Sequence, residues 1–488
     1  MSNDSVLLIN TIPSVNSISS PPLLSSNNQW AHLLSAQRLG SNKRPPAQDS
    51  ARSAFHKDYD RLVFSHSFRQ LNQKTQVHPL TNQLGIHTRL THSLEVSCIG
   101  RSLGMMAAEK LQDKLGNGLP AGITPYDIGV IVQAACLAHD IGNPPFGHAG
   151  EYAIRDWFLH PSRQGILNHL SANERLDLTH YEGNAQGFRL LARNEHHPDK
   201  GGMRLTCATL GAFMKYPWLA THSNTIEQSH CVPSSPQKFG CFYSESSQLE
   251  ELATRLHLPR SPLHDGFARH PLAYLLEAAD DICYALIDLE DGVHLGILEF
   301  TEVANILYEL IGSRPESIER VALTSVRQSL AGLRALAMMR LVNKVTETFV
   351  THSDALLAGS LEGGLFTHCD ATLQNGIAQA KALARDKIFN HPSKVRMELM
   401  ANQCLHRLLS AFIPLAWINV PELQTMPMTF EQQRLLSLLQ PHLNENQRPL
   451  SDDIYANILN ILDFITGMND HEAYQLAQEL QGHWGTKI

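Results

Sequence analysis

Apolar positions recur at intervals of three and four along most of the chain, which predicts helices rather than strands. After Thr124-Pro125, the residues Ile128, Ile131, Val132 and Ala135 share one helical face. Threonine can cap a helix start, and proline suits the first helical position because its missing N–H would have had no partner there. Gly142 and Pro144-Pro145 end that run, with His139 and Asp140 in its last turn. Further back, His92, Val96, Ile99 and Leu103 step by four, three and four, so a histidine shares a face with core-forming residues. Leu272, Leu276, Asp280, Tyr284 and Asp288 are each four apart, which puts acids on the apolar side of a third helix. Such acids are costly unless paired or bound to metal. Asp281 points about 100° away on the same helix, so Asp280 is the candidate functional carboxylate.

Weaker stripes fill in the rest. Phe55, Tyr59, Leu62, Val63 and Phe68 predict a helix, as do Tyr152–Leu159 and the stretch opening at His180. Leu205–Pro217 reads as a helix ended by proline, leaving Lys215 and Tyr216 at its C-terminal end, where a lysine would ordinarily meet the helix dipole. Beyond residue 300 the pattern predicts helices over Val303–Ile311, Ile318–Phe349, Ser393–Phe412 and Ile454–Leu480. Gln70–His87 reads as a turn or short strand pair, residues 220–246 show little pattern, and Gly363-Gly364 and 414–427 read as loops. Neither an internal repeat, nor a heptad series, nor a glycine-rich phosphate loop is present. The expected fold is all-α with few short strands. It divides into a flexible tail over 1–50, with Trp30, Leu33 and Leu34 as a docking element, a catalytic core over 51–300, and a helical C-terminal region over 301–488 packed on that core.

Composition narrows the function. The chain has 488 residues, 43% hydrophobic and 18% charged, as expected of a soluble globular enzyme with a large core. A net charge of -8 argues against a nonspecific nucleic-acid coat, but not against a local basic pocket for a phosphorylated small molecule. No apolar run approaches a membrane span, and the N-terminus lacks a secretory layout, so the expected location is cytoplasmic, away from any membrane. The eight cysteines are scattered without a C-x-x-C pair and read as reduced packing residues. Cys231 and Cys241 lack paired ligands at short spacing, which rejects a zinc reading.

An isolated His-Asp pair ordinarily marks a buried histidine capping its own helix, and a lone histidine on an apolar face is usually a satisfied core residue. Four candidates together carry more. His92, His139, Asp140 and Asp280 make a mixed nitrogen and oxygen donor set without thiolates. That set suits Mn²⁺ or Mg²⁺, with Fe²⁺ or Co²⁺ also compatible, better than a structural zinc. Four ligands on an octahedral ion leave room for a water and a phosphate oxygen. His148 and Glu151 follow closely and suit proton transfer. Arg89 lies about one turn from His92 and could hold a phosphate bidentately.

The ordered motifs Phe68-Arg69, Lys74-Thr75-Gln76-Val77, Arg89-Leu-Thr-His92, His139-Asp140-Ile-Gly-Asn143-Pro-Pro-Phe-Gly-His148, Glu182-Gly-Asn184-Ala-Gln186, Lys215-Tyr216-Pro217, Asp280-Asp281-Ile-Cys-Tyr284 and Thr466-Gly467-Met468-Asn469-Asp470 span about residues 50 to 480. The pattern resembles the HD-domain phosphohydrolases, with their H…HD…D metal site, and more narrowly the bacterial deoxyguanosine triphosphate triphosphohydrolases. The resemblance implies a helical HD-type core and hydrolysis of dGTP, or of several dNTPs, by water attack at the α-phosphorus, releasing a deoxynucleoside and tripolyphosphate. It implies that His92, His139, Asp140 and Asp280 ligate the metal, and that His148 is the catalytic acid or base with Glu151 assisting. Gln76, Tyr284 and Asp288 would contact the deoxyribose; Arg89, Lys215 and Tyr216 the triphosphate; Asn143, Glu182 and Asn184 would line the pocket. A homohexamer, and regulation by nucleotides or single-stranded DNA, are further implications. Departures stand at Gln70, where the family usually has a second arginine, at His56-Lys57, and at Asn469, where a threonine is usual. Two alternatives stay open: an HD phosphohydrolase acting on another nucleotide, and a non-catalytic regulator that binds nucleotides or single-stranded DNA.

Overall fold

A computed structural model describes residues 26–41, 52–74, 87–116, 118–194, 202–220, 238–261, 266–313, 325–420, 427–445 and 448–483. Gln76 and Cys231 lie outside the described residues. The described residues are overwhelmingly helical, and their only extended pairings are three isolated bridges, such as Arg38 with Thr206. No helix among them is long and apolar enough to cross a membrane.

The helices that build or support the site are α1 (Ser26–Leu33), α2 (Ala54–Phe64), α3 (Arg89–Leu115), α4 (Pro125–Ala138), α5 (His148–Leu159), α6 (Gly183–Arg189), α7 (Cys207–Phe213), α8 (Pro271–His294), α9 (Val326–Thr351), α10 (Pro392–Phe412), α11 (Ile454–Gly467) and α12 (Asp470–Glu479). Local chemistry sets their ends. Thr88 caps α3 and Thr124 caps α4, each accepting from a backbone N–H one turn on, with Pro125 opening α4. Helices α3 and α4 pack closely because Gly104 and Gly129 face each other, where an added Cβ on Gly104 would press on the Gly129 backbone. Helix α8 lies against both, and α9 covers α3.

Two large clusters of buried apolar side chains organise the described residues. The first gathers α3, α4, α7, α8 and α9 and includes Trp30, Leu33 and Leu34. The second gathers α5, α10, α11 and α12. A buried ion network joins the two regions. Arg189 at the end of α6 donates to both carboxylate oxygens of Asp463 on α11, to Glu245 at 2.7 Å and to Asn460.

Several expected helices differ in extent: the one expected to hold His139 and Asp140 in its last turn ends at Ala138, that expected over Ile318–Phe349 is described as Val326–Thr351 behind a Ser325 cap, and the stripe from Phe55 to Phe68 is broken at Ser65. Ile454–Leu480 is two helices, because Met468 is extended and Asn469 starts a capping box with Glu472. The helix expected over Leu205–Pro217 covers only Cys207–Phe213, since the backbone turns extended at Met214, before proline is reached. That expected from Tyr152 begins at His148, which brings His148 and Glu151 into one first turn.

Candidate active site

Helix α4 delivers the first two groups. His139 is its C-cap, one residue past the helix, and its Nδ1 bonds the Cys136 carbonyl at 2.7 Å. That bond leaves Nε2 as the nitrogen available to a ligand. His92 comes from the first turn of α3, and Asp280 from the middle of α8. Asp280 Oδ1 lies 3.2 Å from His92 Nε2 and 3.5 Å from His139 Nε2. One ligand atom from each of these three residues falls within 4.8 Å of the other two. Asp281, one position on, instead pairs with Lys381 at 2.7 Å.

Asp140 joins the cluster from the side. Its Oδ1 accepts from Arg89 at 2.9 Å and from Asn143 at 2.6 Å, and lies 3.7 Å from His139 Nε2. Its Oδ2 is buried with no hydrogen-bond partner. Burial alone would raise the Asp140 carboxyl, but Arg89 and the two imidazoles hold it down to about 2. Asp280 behaves similarly: burial opposes ionisation, and Lys215 with the histidines keeps it well below the usual carboxylate range. Two imidazoles, two ionised carboxylates and an orphaned carboxylate oxygen are a donor set that fits a hard or borderline divalent cation. This is a possible His/Asp metal site.

A cavity of about 300 Å³ opens over the cluster. Arg89, Asn143, His148, Glu151, Asn184, Lys215, Tyr216, Tyr284 and Asp288 all line it together with the four candidate ligands. His148 Nδ1 lies 2.8 Å from Glu151 Oε2, while Glu151 Oε1 accepts from the Gly183 backbone N–H at 2.7 Å. Lys215 lies beyond the end of α7 and donates to Asp280 Oδ2 at 2.8 Å, so it serves the cluster rather than its helix dipole. Tyr284 stacks on Phe389, with ring centroids 5.7 Å apart. Asp288 has an unpartnered buried oxygen, and burial, with Asp291 and Asp280 nearby, pushes its carboxyl up to about 7. Glu182 is not in the lining: it sits behind the wall, bonded to Asn184 at 2.6 Å and Arg155 at 3.0 Å.

The loop between Asp140 and His148 is held by close backbone contact. Gly142 has φ +105, and an added Cβ would collide with the backbone of Gly183 and Gly187 on α6. Only glycine suits both the dihedral and the approach. A larger cavity of about 580 Å³ lies beyond Lys74 and Gly142, lined by residues such as Gln70, Phe464 and Glu472, but the His/Asp cluster opens into the smaller one.

The HD domain model matches residues 89–198, a span that contains His92, His139 and Asp140 but stops short of Asp280. The deoxyguanosinetriphosphate triphosphohydrolase-like protein of Pseudomonas aeruginosa strain LESB58 is 45% identical over 93% of this chain and 98% of its own length. The chain belongs to the deoxyguanosinetriphosphate triphosphohydrolase family. Its likeness extends to a Synechocystis relative described in the same words, 40% identical over 93% of this chain and 99% of the relative. The deoxyguanosinetriphosphate triphosphohydrolase of Cronobacter sakazakii is 31% identical over 76% of this chain and 79% of its own. The Pseudomonas and Synechocystis relatives thus match more than nine-tenths of the chain, well beyond residues 89–198.

Two lining side chains, Lys238 and Phe389, and the backbone of Gly183 were not among the site residues expected from the sequence. Lys238 lies within the patternless stretch 220–246 and is on no helix, so periodicity could not single it out. Phe389 ends a π-helical turn, Ala384–Phe389, whose irregular spacing hides its direction.

Proposed function

We propose that this protein hydrolyses dGTP, and related dNTPs, to the deoxynucleoside and tripolyphosphate by water attack at the α-phosphorus. The observation that carries the reading is the convergence of His92, His139 and Asp280 within 4.8 Å, beside a cavity that also holds Lys215 and Tyr216. Family membership supplies the substrate class.

In this reading His92, His139, Asp140 and Asp280 hold a divalent ion, Mn²⁺ or Mg²⁺ by donor type. When bound, such an ion polarises a phosphoryl oxygen and lowers the pKa of a nucleophilic water. Arg89, Lys215 and Tyr216, with the newly identified Lys238, bind the triphosphate and offset its charge. His148 moves the proton at the reacting oxygen, its tautomer held by Glu151 across the 2.8 Å contact. Tyr284 packs against the deoxyribose where a 2′-hydroxyl would otherwise sit, and Asp288 and Gln76 read the 3′-hydroxyl. An Asp288 carboxyl poised at about 7 can donate to that hydroxyl or accept from it. Asn143 and Asn184 complete the wall, with Glu182 bracing Asn184. The reading carries with it a cytoplasmic homo-oligomer, hexameric by resemblance and open to nucleotide or single-stranded DNA effectors; sedimentation tests the assembly.

Product analysis is the decisive experiment. Each of the four dNTPs is incubated with Mn²⁺ or Mg²⁺ and the products are separated by ion exchange. Deoxyguanosine with intact tripolyphosphate is expected from dGTP. Pyrophosphate or single phosphates would point to a different nucleotide phosphohydrolase, and absence of turnover would leave a binding protein.

A further inference from the structure

Among the motif features idle in that chemistry are Lys74 and the late stretch Thr466–Asp470. The fold brings them together beside the site. Lys74 Nζ donates to the Asn143 carbonyl at 2.8 Å and to the Thr466 carbonyl at 2.7 Å. The Lys74 carbonyl in turn accepts from the Arg89 N–H at 2.9 Å, which seats the first turn of α3. Asp470 Oδ1, in the first turn of α12, accepts from the Phe146 N–H at 2.7 Å. Both charged side chains are buried, Lys74 at 4% exposure and Asp470 at 0%.

What they grip is the short loop from Gly142 to Gly147, which joins Asp140 to His148. That loop is conformationally demanding. Gly142 and Gly147 have φ of +105 and +60, and Phe146, which has a Cβ, has φ of +65. A non-glycine residue at positive φ persists where its surroundings over-determine it. The bond to Asp470 falls on the N–H of that same Phe146. Gripped at Asn143 and Phe146, the loop has little freedom to shift His148 relative to Asp140.

We propose that Lys74 and Asp470 are positioning residues, which hold the loop between Asp140 and His148 and so set the placement of His148 against the reacting oxygen. The C-terminal helices thereby govern turnover in a site to which they contribute no ligand. The kinetic part rests on the hydrolase reading; the structural part does not.

Asp470→Ala removes the acceptor, whereas Asp470→Asn keeps an oxygen in the same place. With dGTP, Asp470→Ala is expected to lower kcat by about tenfold or more with KM within about threefold, and Asp470→Asn to restore kcat to within about threefold of wild type. Hydrogen–deuterium exchange on the full chain supplies a substrate-free readout. In Asp470→Ala, exchange in residues 141–150 should accelerate by about tenfold or more, while α3 and α8 keep wild-type protection. Lys74→Met should show the same local signature. Wild-type kcat in Asp470→Ala, an asparagine variant as impaired as the alanine one, or exchange raised uniformly over the chain would overturn the proposal. Should the wild-type protein not turn over dGTP, the hydrolase reading falls, and local against uniform exchange alone decides the clamp.

Discussion

Glu151→Gln separates the charge of this side chain from its shape. The carboxylate can only accept hydrogen bonds, so His148 presents a protonated Nδ1 across the 2.8 Å contact and keeps Nε2 for proton transfer. Burial would raise the Glu151 carboxyl, but His148, Arg155 and the Gly183 N–H keep it below its ordinary value. A glutamine offers one oxygen and one amide NH₂. Gly183 N–H needs the oxygen, at 2.7 Å in the native protein, so the NH₂ must face Nδ1. That contact is favourable only when Nδ1 lacks its proton, which moves the proton of the neutral ring to Nε2, the wrong tautomer for a base. The lost charge-assisted bond is worth about 1.5–3 kcal/mol. At 1.36 kcal/mol per tenfold this predicts a fall in kcat of roughly 10- to 150-fold. Turnover of dGTP measured by tripolyphosphate release, alongside ¹⁵N histidine NMR of the tautomer, tests it. A variant that keeps kcat within about twofold and an unchanged His148 tautomer would refute the reasoning.

Other consequences follow from the same contacts. Tyr284→Ala removes the ring that stacks on Phe389, and should raise kcat/KM for GTP relative to dGTP by about tenfold; an unchanged ratio dismisses the sugar filter. Arg189→Met leaves Asp463 and Glu245 without their shared buried guanidinium and should cost about 3–5 kcal/mol, read by urea denaturation. A loss below about 1 kcal/mol would place the network among the weak ion pairs. Asp177 is buried, and that burial pushes its carboxyl up to about 8 from 3.8, although Tyr455 and the Tyr243 N–H donate to it. The folded protein therefore binds this proton more tightly than the unfolded chain does. Its stabilising contribution is full below about pH 4 and declines as pH rises towards 8. Asp177→Asn keeps an acceptor without a titration, so its melting temperature should vary less over that window than the wild type's.

Much of the scaffold was legible because it follows from local rules. Thr124-Pro125 announces the start of α4, whereas its end falls at Ala138, before the Gly-Asn-Pro-Pro break, so that His139 caps the helix and Asp140 lies beyond it. The four-residue spacing of Leu276, Asp280 and Tyr284 separates Asp280 from Asp281, and the structure sends the first towards His92 and His139 and the second towards Lys381. Less legible were features that depend on irregular backbone. The split between α11 and α12 turns on one extended residue, Met468, inside an otherwise helical pattern. Lys238 and Phe389 reach the cavity from a loop and a π turn, where neither periodicity applies.

Sequence alone thus determined that the chain is helical, where the helix before His139 starts and which few polar side chains lie on apolar faces, because propensity, capping and periodicity act over a handful of neighbouring residues. Tertiary structure decided what those side chains meet: that His92 and Asp280, 188 positions apart, lie 3.2 Å from each other, and that Lys74 and Thr466, 392 apart, bond beside the loop from Asp140 to His148. Such encounters depend on how glycine-lined helices pack and how buried charges find partners, and no window along the chain contains both halves of either.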